Sequence, residues 1–222
     1  DFGNDMVMVQ CNAGGTFGYK FSPTMEALIG VAVLATGRPC HLRYNYEQQQ
    51  QYTGKRSPFF TTVRYAADKA TGKIKAMEAD WIVDHGPYSE FGDLLTLRGA
   101  QYIGAGYGIE NIRGLGKTVC TNHGWGAAFR GYGAPESEFA SEVLIDELAE
   151  KLGMDPLDFR LKNTGRNGDI SPLNGKPVAT LGISDCLEEG RKKFRWDERK
   201  AACKAFNEEA VRTGSPLRRG VG

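Results

Sequence analysis

Histidine is scarce in this 222-residue sequence: His41, His85 and His123 stand alone, with no ligand spacing among them. Each reads as a structural histidine with its hydrogen bonds satisfied. The cysteines (Cys11, Cys40, Cys120, Cys186 and Cys203) are odd in number, far apart and without a CxxC pair. That argues against structural zinc or iron–sulfur ligation by this chain. It leaves free thiols in a reducing compartment, buried by default. Net charge is nearly absent, with 28 basic against 27 acidic side chains. Nothing in that balance calls for nucleic acid or an anionic membrane as partner. No apolar run approaches the roughly 18 residues a spanning helix needs. The start, Asp1 to Asp5, is polar and acidic with no initiator Met, and the end is Gly220-Val221-Gly222. These features predict no signal peptide and an internal piece of a longer protein. There is no Ser/His/Asp set at a nucleophile elbow and no paired-carboxylate constellation, so any chemistry is expected from a cofactor.

What is abundant is glycine, 29 residues, in a chain whose 41% hydrophobic content suffices for a core. The stretch Ala13 to Phe21 reads Ala-Gly-Gly-Thr-Phe-Gly-Tyr-Lys-Phe. It follows a strand-like run, Met6 to Cys11, and leads to a helix start at Ser22-Pro23. Gly14, Gly15 and Gly18 let the backbone take positive φ and approach a neighbour closely. A helix N-terminus beyond them suits an anion. The pattern matches neither the GxxxxGK[ST] phosphate loop nor GxGxxG.

Further along, Met25 to Leu34 is apolar almost all round and predicts a buried helix ended by Gly37. His41 to Tyr46 alternates like a strand, and Glu47 to Lys55 reads as polar and irregular. Phe59 to Ala67 and Lys73 to Val83, flanking Asp68-Lys69-Ala70-Thr71-Gly72, predict a hairpin. Tyr88 to Gln101 predicts a helix, Gly104 to Gly108 a break, and Ile112 to Cys120 a strand. A second glycine-rich block, Gly124 to Gly133, precedes a helix opened by Pro135. That helix carries Phe139, Val143, Leu144, Leu148 and Leu152 on one face. Gly153 stops it, and Asp155-Pro156 starts a shorter helix to about Lys162. Asn163 to Gly182 reads as a linker, and a charged helical segment runs from about Ser184 to Arg212. Each glycine block carries an aromatic and a cation, Phe17 with Lys20 and a buried Arg130 with Tyr132. If both helices lie on one side of a sheet, both turns face one cavity suited to a flat anionic cofactor and an apolar substrate.

Ala-Gly-Gly-Thr-Phe-Gly-Tyr-Lys and Ala-Phe-Arg-Gly-Tyr-Gly-Ala-Pro together resemble the paired signatures of the molybdenum-cofactor subunit of the xanthine oxidase family. Asn111-Ile112-Arg113-Gly114 and Thr121-Asn122 fit its spacing. The resemblance runs from about Val7 to Leu161 and more loosely to the end. Asp84-His85-Gly86-Pro87-Tyr88-Ser89-Glu90-Phe91-Gly92-Asp93 and the glutamine run from Tyr46 to Tyr52 are similar to the molybdenum aldehyde oxidoreductases of sulfate-reducing bacteria.

The resemblance implies a mixed α/β (α+β) fragment of a molybdopterin-binding domain, with mixed sheets and packed helices. Residues 1–170 would belong to the first molybdenum-cofactor-binding domain, and 171–222 to a linker and the start of the second. It implies a molybdopterin, as the cytosine dinucleotide, carrying molybdenum. Gly15, Phe17, Gly18, Phe129, Arg130 and Gly131 would face that cofactor, with Phe17 and Arg130 nearest the metal. Phe21, Phe91, Leu94 and Tyr132 would line the substrate channel. Purine-hydroxylating members carry a glutamate where Phe21 stands, so the expected substrate is an aldehyde, oxidised to a carboxylic acid with water as oxygen source. Arg98 aligns with a substrate-facing arginine of the purine members, a role not expected here. The general-base glutamate would lie beyond Gly222 and the [2Fe-2S] clusters outside this chain. A cytoplasmic homodimer passing electrons to a flavodoxin or ferredoxin completes the implied enzyme. The alternatives are a purine or N-heterocycle hydroxylase of the same family, and a cofactor-free scaffold.

Overall fold

The protein's structure, a computed structural model, describes residues 6–21, 25–88, 91–104, 106–171 and 174–222, with Tyr19 described by its backbone alone. The expected helix start at Ser22-Pro23 and the acidic residues 1–5 lie outside the described residues. In chain order, a 3-10 turn at Tyr19–Phe21 precedes α1 (Glu26–Thr36), α2 (Tyr46–Tyr52), β1 (Lys55–Arg56), β2 (Phe59–Ala67) and β3 (Ile74–Asp84). Then come α3 (Gly92–Tyr102), β4 (Asn111–Val119), β5 (Gly126–Ala127), α4 (Ala134–Lys151), α5 (Pro156–Asn163), α6 (Ile183–Phe194) and α7 (Trp196–Arg212). The mixed α/β character is as expected. One sheet has the order β2-β3-β4, and a second pairs β1 with β5 in parallel.

The chain gathers into two compact units. One comprises Asp1–Arg64, Glu78–Ala105 and Arg113–Val143. The other comprises Tyr65–Met77, Gly106–Ile112 and Leu144–Gly222.

In the first unit, Ala79, Trp81 and Val83 alternate inward along β3, the period of two that a one-faced strand requires. The Trp81 indole N–H donates to the Thr96 carbonyl on α3 at 3.1 Å. Glycine makes room for this ring: a Cβ on Gly116 of β4 would come within 2.5 Å of it.

Several expectations for this unit fail. Met6 to Cys11 is not a strand; Val7 and Val9 lie exposed with no pairing partner among the described residues. α1 ends at Gly37 as expected, with φ at 61° and its N–H bonded to the Val33 carbonyl. Yet α1 buries no residue, and Leu28, Val31 and Leu34 are all exposed, because no described element covers their faces. His41 to Tyr46 forms no strand, and the glutamine run is helical. Asn45 caps α2 by accepting from the Gln48 amide at 2.8 Å while the Gln48 side chain accepts from the Asn45 amide at 3.0 Å. That reciprocal cap, followed by good helix formers, overrides the polar composition.

α4 also turns differently from its apolar pattern. Ser137, Ser141, Ile145 and Ala149 are its buried residues, at i, i+4 spacing, while Phe139 and Val143 point outward. Small side chains let a backbone come close: the Gly104 amide donates to Ser141 Oγ.

The second unit is knitted by Asn163 at the end of α5. Its amide group donates to the Gly72 and Phe159 carbonyls, and its Oδ1 accepts from the Ile74 amide. The Asp68–Gly72 turn of the β2–β3 hairpin is thereby fixed. The charged helical segment expected from about Ser184 to Arg212 forms as two helices, α6 and α7, divided at Arg195 with φ at 57°. Arg191 spans the break, bonding Asp158 of α5 and Asp197 of α7. No described helix is long and apolar enough to cross a membrane.

Candidate functional site

All the singled-out site residues fall in the first unit. In the first glycine loop Gly15 has φ at 112° and Gly18 at 95°, so both need glycine. Phe17 between them is left-handed as well, at 49°, a strained conformation for a phenylalanine. The Gly15 carbonyl accepts from the Lys20 ammonium at 2.8 Å, drawing the loop into a tight bow. Phe21 closes the 3-10 turn through its amide to the Gly18 carbonyl, and the residue is 69% exposed.

The second block is built differently from its neighbours. β1 and β5 lie in register, Lys55 opposite Gly126 and Arg56 opposite Ala127. Beyond β5 the chain makes two successive turns, closed by Tyr132 N–H to the Phe129 carbonyl at 2.7 Å and Ala134 N–H to the Gly131 carbonyl at 3.1 Å. Gly131 and Gly133 each have φ at 94°, and Tyr132 sits at 44°.

The two loops meet. A Cβ on Gly18 would stand 2.9 Å from the Ala128 backbone, and the Arg130 guanidinium lies 5.5 Å from the centre of the Phe17 ring. Arg130 is exposed, where a buried arginine was expected; its guanidinium stacks on one flat face of an aromatic instead of sitting in the core. Among the described residues it makes no ion pair. The Tyr132 hydroxyl donates to the Phe91 carbonyl at 3.0 Å, tying the second loop to the start of α3. Gly133 packs on the same helix, with room for a Cβ only 3.1 Å from that of Arg98. Phe91 and Leu94 are both exposed, and no described hydrogen bond or ring contact links either to Phe21. Arg98 donates to Gln101 one turn along its own helix, at 2.5 Å. The residues thus form an open surface where an enclosed cavity was expected.

Behind the second loop lies a buried histidine. His85 is fully buried, and Nδ1 is 2.8 Å from the Ser57 hydroxyl. Its Nε2 is buried and has no hydrogen-bond partner among the described residues, where a satisfied histidine was expected. Burial pushes its imidazole below the ordinary value, against a weaker opposite pull from Asp93 and Asp84. The His85 carbonyl accepts from the Gly126 amide at 3.1 Å, and Gly126 has no space for a side chain beside Ser57 and His85. Asp84 braces the next turn: the Thr121 hydroxyl and the Gly86 amide donate to it and hold its carboxyl below the usual range. None of the cysteines is buried, contrary to expectation; Cys11, Cys120 and Cys186 are exposed.

Sequence reasoning missed Arg56. Its guanidinium donates to the Arg130 carbonyl at 2.6 Å and to Glu136 at 2.7 Å, and lies 4.8 Å from the centre of the Phe129 ring. No periodicity or motif marks it; it stands in a polar stretch beside Lys55.

The arrangement suits an anionic group. Glycine backbone, an aromatic shelf and an exposed guanidinium are the donors and surfaces such a group requires. A model of the molybdopterin cofactor-binding domain matches residues 3–164, and the chain belongs to that family. The chain is 65% identical over 192 residues to the aldehyde oxidoreductase of Megalodesulfovibrio gigas, covering 86% of this chain and 21% of that protein. It superposes on the crystal structure of the aldehyde oxidoreductase from Desulfovibrio desulfuricans with a TM-score of 0.79, at 70% identity over 86% of this chain and 21% of that one. It is also 33% identical over 210 residues to a putative xanthine dehydrogenase molybdenum-binding subunit of Escherichia coli, covering 94% of this chain and 27% of that one. The chain therefore spans about a fifth of the length of the aldehyde oxidoreductases it resembles.

Proposed function

We propose that this chain supplies part of the molybdopterin cradle of an enzyme that oxidises aldehydes to carboxylic acids. The observation that carries the reading is the meeting of the two glycine loops, Gly18 against Ala128 and Arg130 over Phe17. The high identity to aldehyde oxidoreductases supports the substrate class.

When bound, the cofactor supplies the redox and oxygen-transfer chemistry. The chain's own residues bind and orient. Gly15, Gly18 and Gly131 keep the backbone bare where the cofactor approaches. The Arg130 guanidinium, steadied by Phe17, balances negative charge, and Phe129 flanks it. Phe21, Phe91, Leu94 and Tyr132 present apolar surface to the substrate. A purine bound against Phe21 would leave its polar groups unpaired, at about 1–3 kcal/mol each. An aldehyde has one carbonyl to satisfy, and suits such a wall. The finer reading places residues 1–170 in the first cofactor-binding domain and 171–222 in a linker and the start of the second. It takes the cofactor as the cytosine dinucleotide, with [2Fe-2S] clusters in the rest of a cytoplasmic homodimer that passes electrons to a flavodoxin or ferredoxin.

The test is turnover by the full-length enzyme offered benzaldehyde and xanthine separately. Oxidation of the aldehyde with little or none of the purine is expected. The reverse preference would favour the purine reading, and turnover of neither would leave a scaffold.

A further inference from the structure

We propose that Arg56 is the positioning residue for Arg130: it sets the second glycine loop at the place where that loop meets the first. The inference rests on the cradle reading above. The parallel pairing of β1 with β5 puts Arg56 opposite Ala127, at the mouth of the loop. From there one guanidinium holds three successive parts of the same segment. It stacks on the Phe129 ring, donates through Nη2 to the Arg130 carbonyl, and donates through Nη1 to Glu136 in the first turn of α4.

The way the fork is divided decides the interpretation. An arginine facing a carboxylate commonly donates two parallel hydrogen bonds to its two oxygens. Here Glu136 receives one, and its other oxygen, Oε2, is buried without a partner among the described residues. Leaving that oxygen unpaired is unfavourable, yet the second arm of Arg56 goes to the loop carbonyl. An arginine serving only as a counter-ion for Glu136 would not be divided in this way. The loop also needs an external hold. Tyr132 is left-handed without being glycine, and such conformations persist where the surroundings over-determine them. The Tyr132 hydroxyl on Phe91 fixes one end, and Arg56 fixes the other at Phe129 and Arg130. A lysine could keep the charge, but it has no planar fork to serve a carbonyl, a carboxylate and a ring face together.

The experiment compares molybdenum per chain and melting temperature in the full-length enzyme and four variants, Arg56→Met, Arg56→Lys, Glu136→Gln and Arg130→Met. Both Arg56 variants are expected to retain about tenfold less molybdenum, the loss typical when a group orienting a binding residue is removed. Both should still fold and melt cooperatively, at a lower temperature in Arg56→Met, where Glu136 loses its cation, than in Arg56→Lys, which keeps the charge. Glu136→Gln, which leaves the Arg130 carbonyl bond and the Phe129 stack in place, should retain its molybdenum. Full molybdenum in both Arg56 variants, with loss in Arg130→Met, would overturn the inference and leave the cradle reading standing. Full molybdenum in Arg130→Met as well would overturn the cradle reading and the inference with it. If Arg56→Met does not fold, Arg56→Lys decides: unaltered molybdenum there overturns the inference.

Discussion

Gly18 rests against Ala128 so closely that a Cβ on the glycine would stand 2.9 Å from both the carbonyl carbon and oxygen of its neighbour. This contact joins two loops more than a hundred residues apart in sequence, and its φ of 95° is one that L side chains rarely adopt. Gly18→Ala is therefore expected to cost about 1–3 kcal/mol through backbone strain and to part the loops. Urea unfolding measures the first effect and molybdenum retention in the full-length enzyme the second. A variant as stable and as well loaded as the parent would show the contact to be incidental.

His85 gives the fold a pH dependence. Burial lowers its folded pKa beneath the ordinary value of about 6.5. The unfolded chain then binds the proton more readily, so stability rises with pH in the window between the two values. His85's contribution is complete above about 6.5 and is lost as pH falls through the window beneath it. Urea unfolding at pH 8 and pH 5.5 should show this loss, and His85→Gln should reduce it. An identical pH slope in the variant would contradict the assignment to His85.

Asp155 acts in the same direction at lower pH. It caps α5 by accepting from the Leu157 and Asp158 amides, and it also meets Trp196 and Lys200 of α7. Burial alone would raise its pKa, but Lys200, the two amides and Trp196 together outweigh burial and hold it below the usual carboxylate range. Its contribution is present above the unfolded value of about 3.9 and is lost as pH falls through the lower folded value. Asp155→Ala should cost about 1–2 kcal/mol at neutral pH, read by chemical denaturation. An unchanged midpoint would show that the cap does not hold the α5–α7 junction.

Phe21 tests the substrate wall. Phe21→Glu in the full-length enzyme should lower kcat/KM for an apolar aldehyde about tenfold or more, since a carboxylate there requires desolvation that a phenyl ring does not. As a residue 69% exposed, Phe21 should tolerate the exchange with little change in melting temperature. Equal aldehyde kinetics in the variant would remove Phe21 from the substrate path.

Local signals in the sequence were strong where local chemistry decides structure. The Asp68–Gly72 turn, the flanking strands, β4, and the helix starts at Pro135 and Asp155 all form as their residues predict. The two glycine blocks were also legible as a pair, because positive φ at Gly15, Gly18, Gly131 and Gly133 requires that residue type. What was not legible depends on neighbours. Met6 to Cys11 has strand composition, but a strand needs an edge to pair with. The apolar ring of α1 predicts burial, but composition does not say what covers it. In α4 the large residues looked like the core face, whereas the close approach selected Ser137 and Ser141. Arg56 gave no signal, since its role arises from a strand register and three partners distant in sequence.

The most direct test of the cradle is molybdenum per chain in the full-length enzyme as purified, measured by plasma mass spectrometry beside a Gly18→Val variant. The account predicts roughly one atom per chain in the parent, as a resident cofactor requires, and a large loss in the variant. A folded, full-length parent without molybdenum, or a variant that keeps all of it, would contradict the claim that these two loops hold the cofactor.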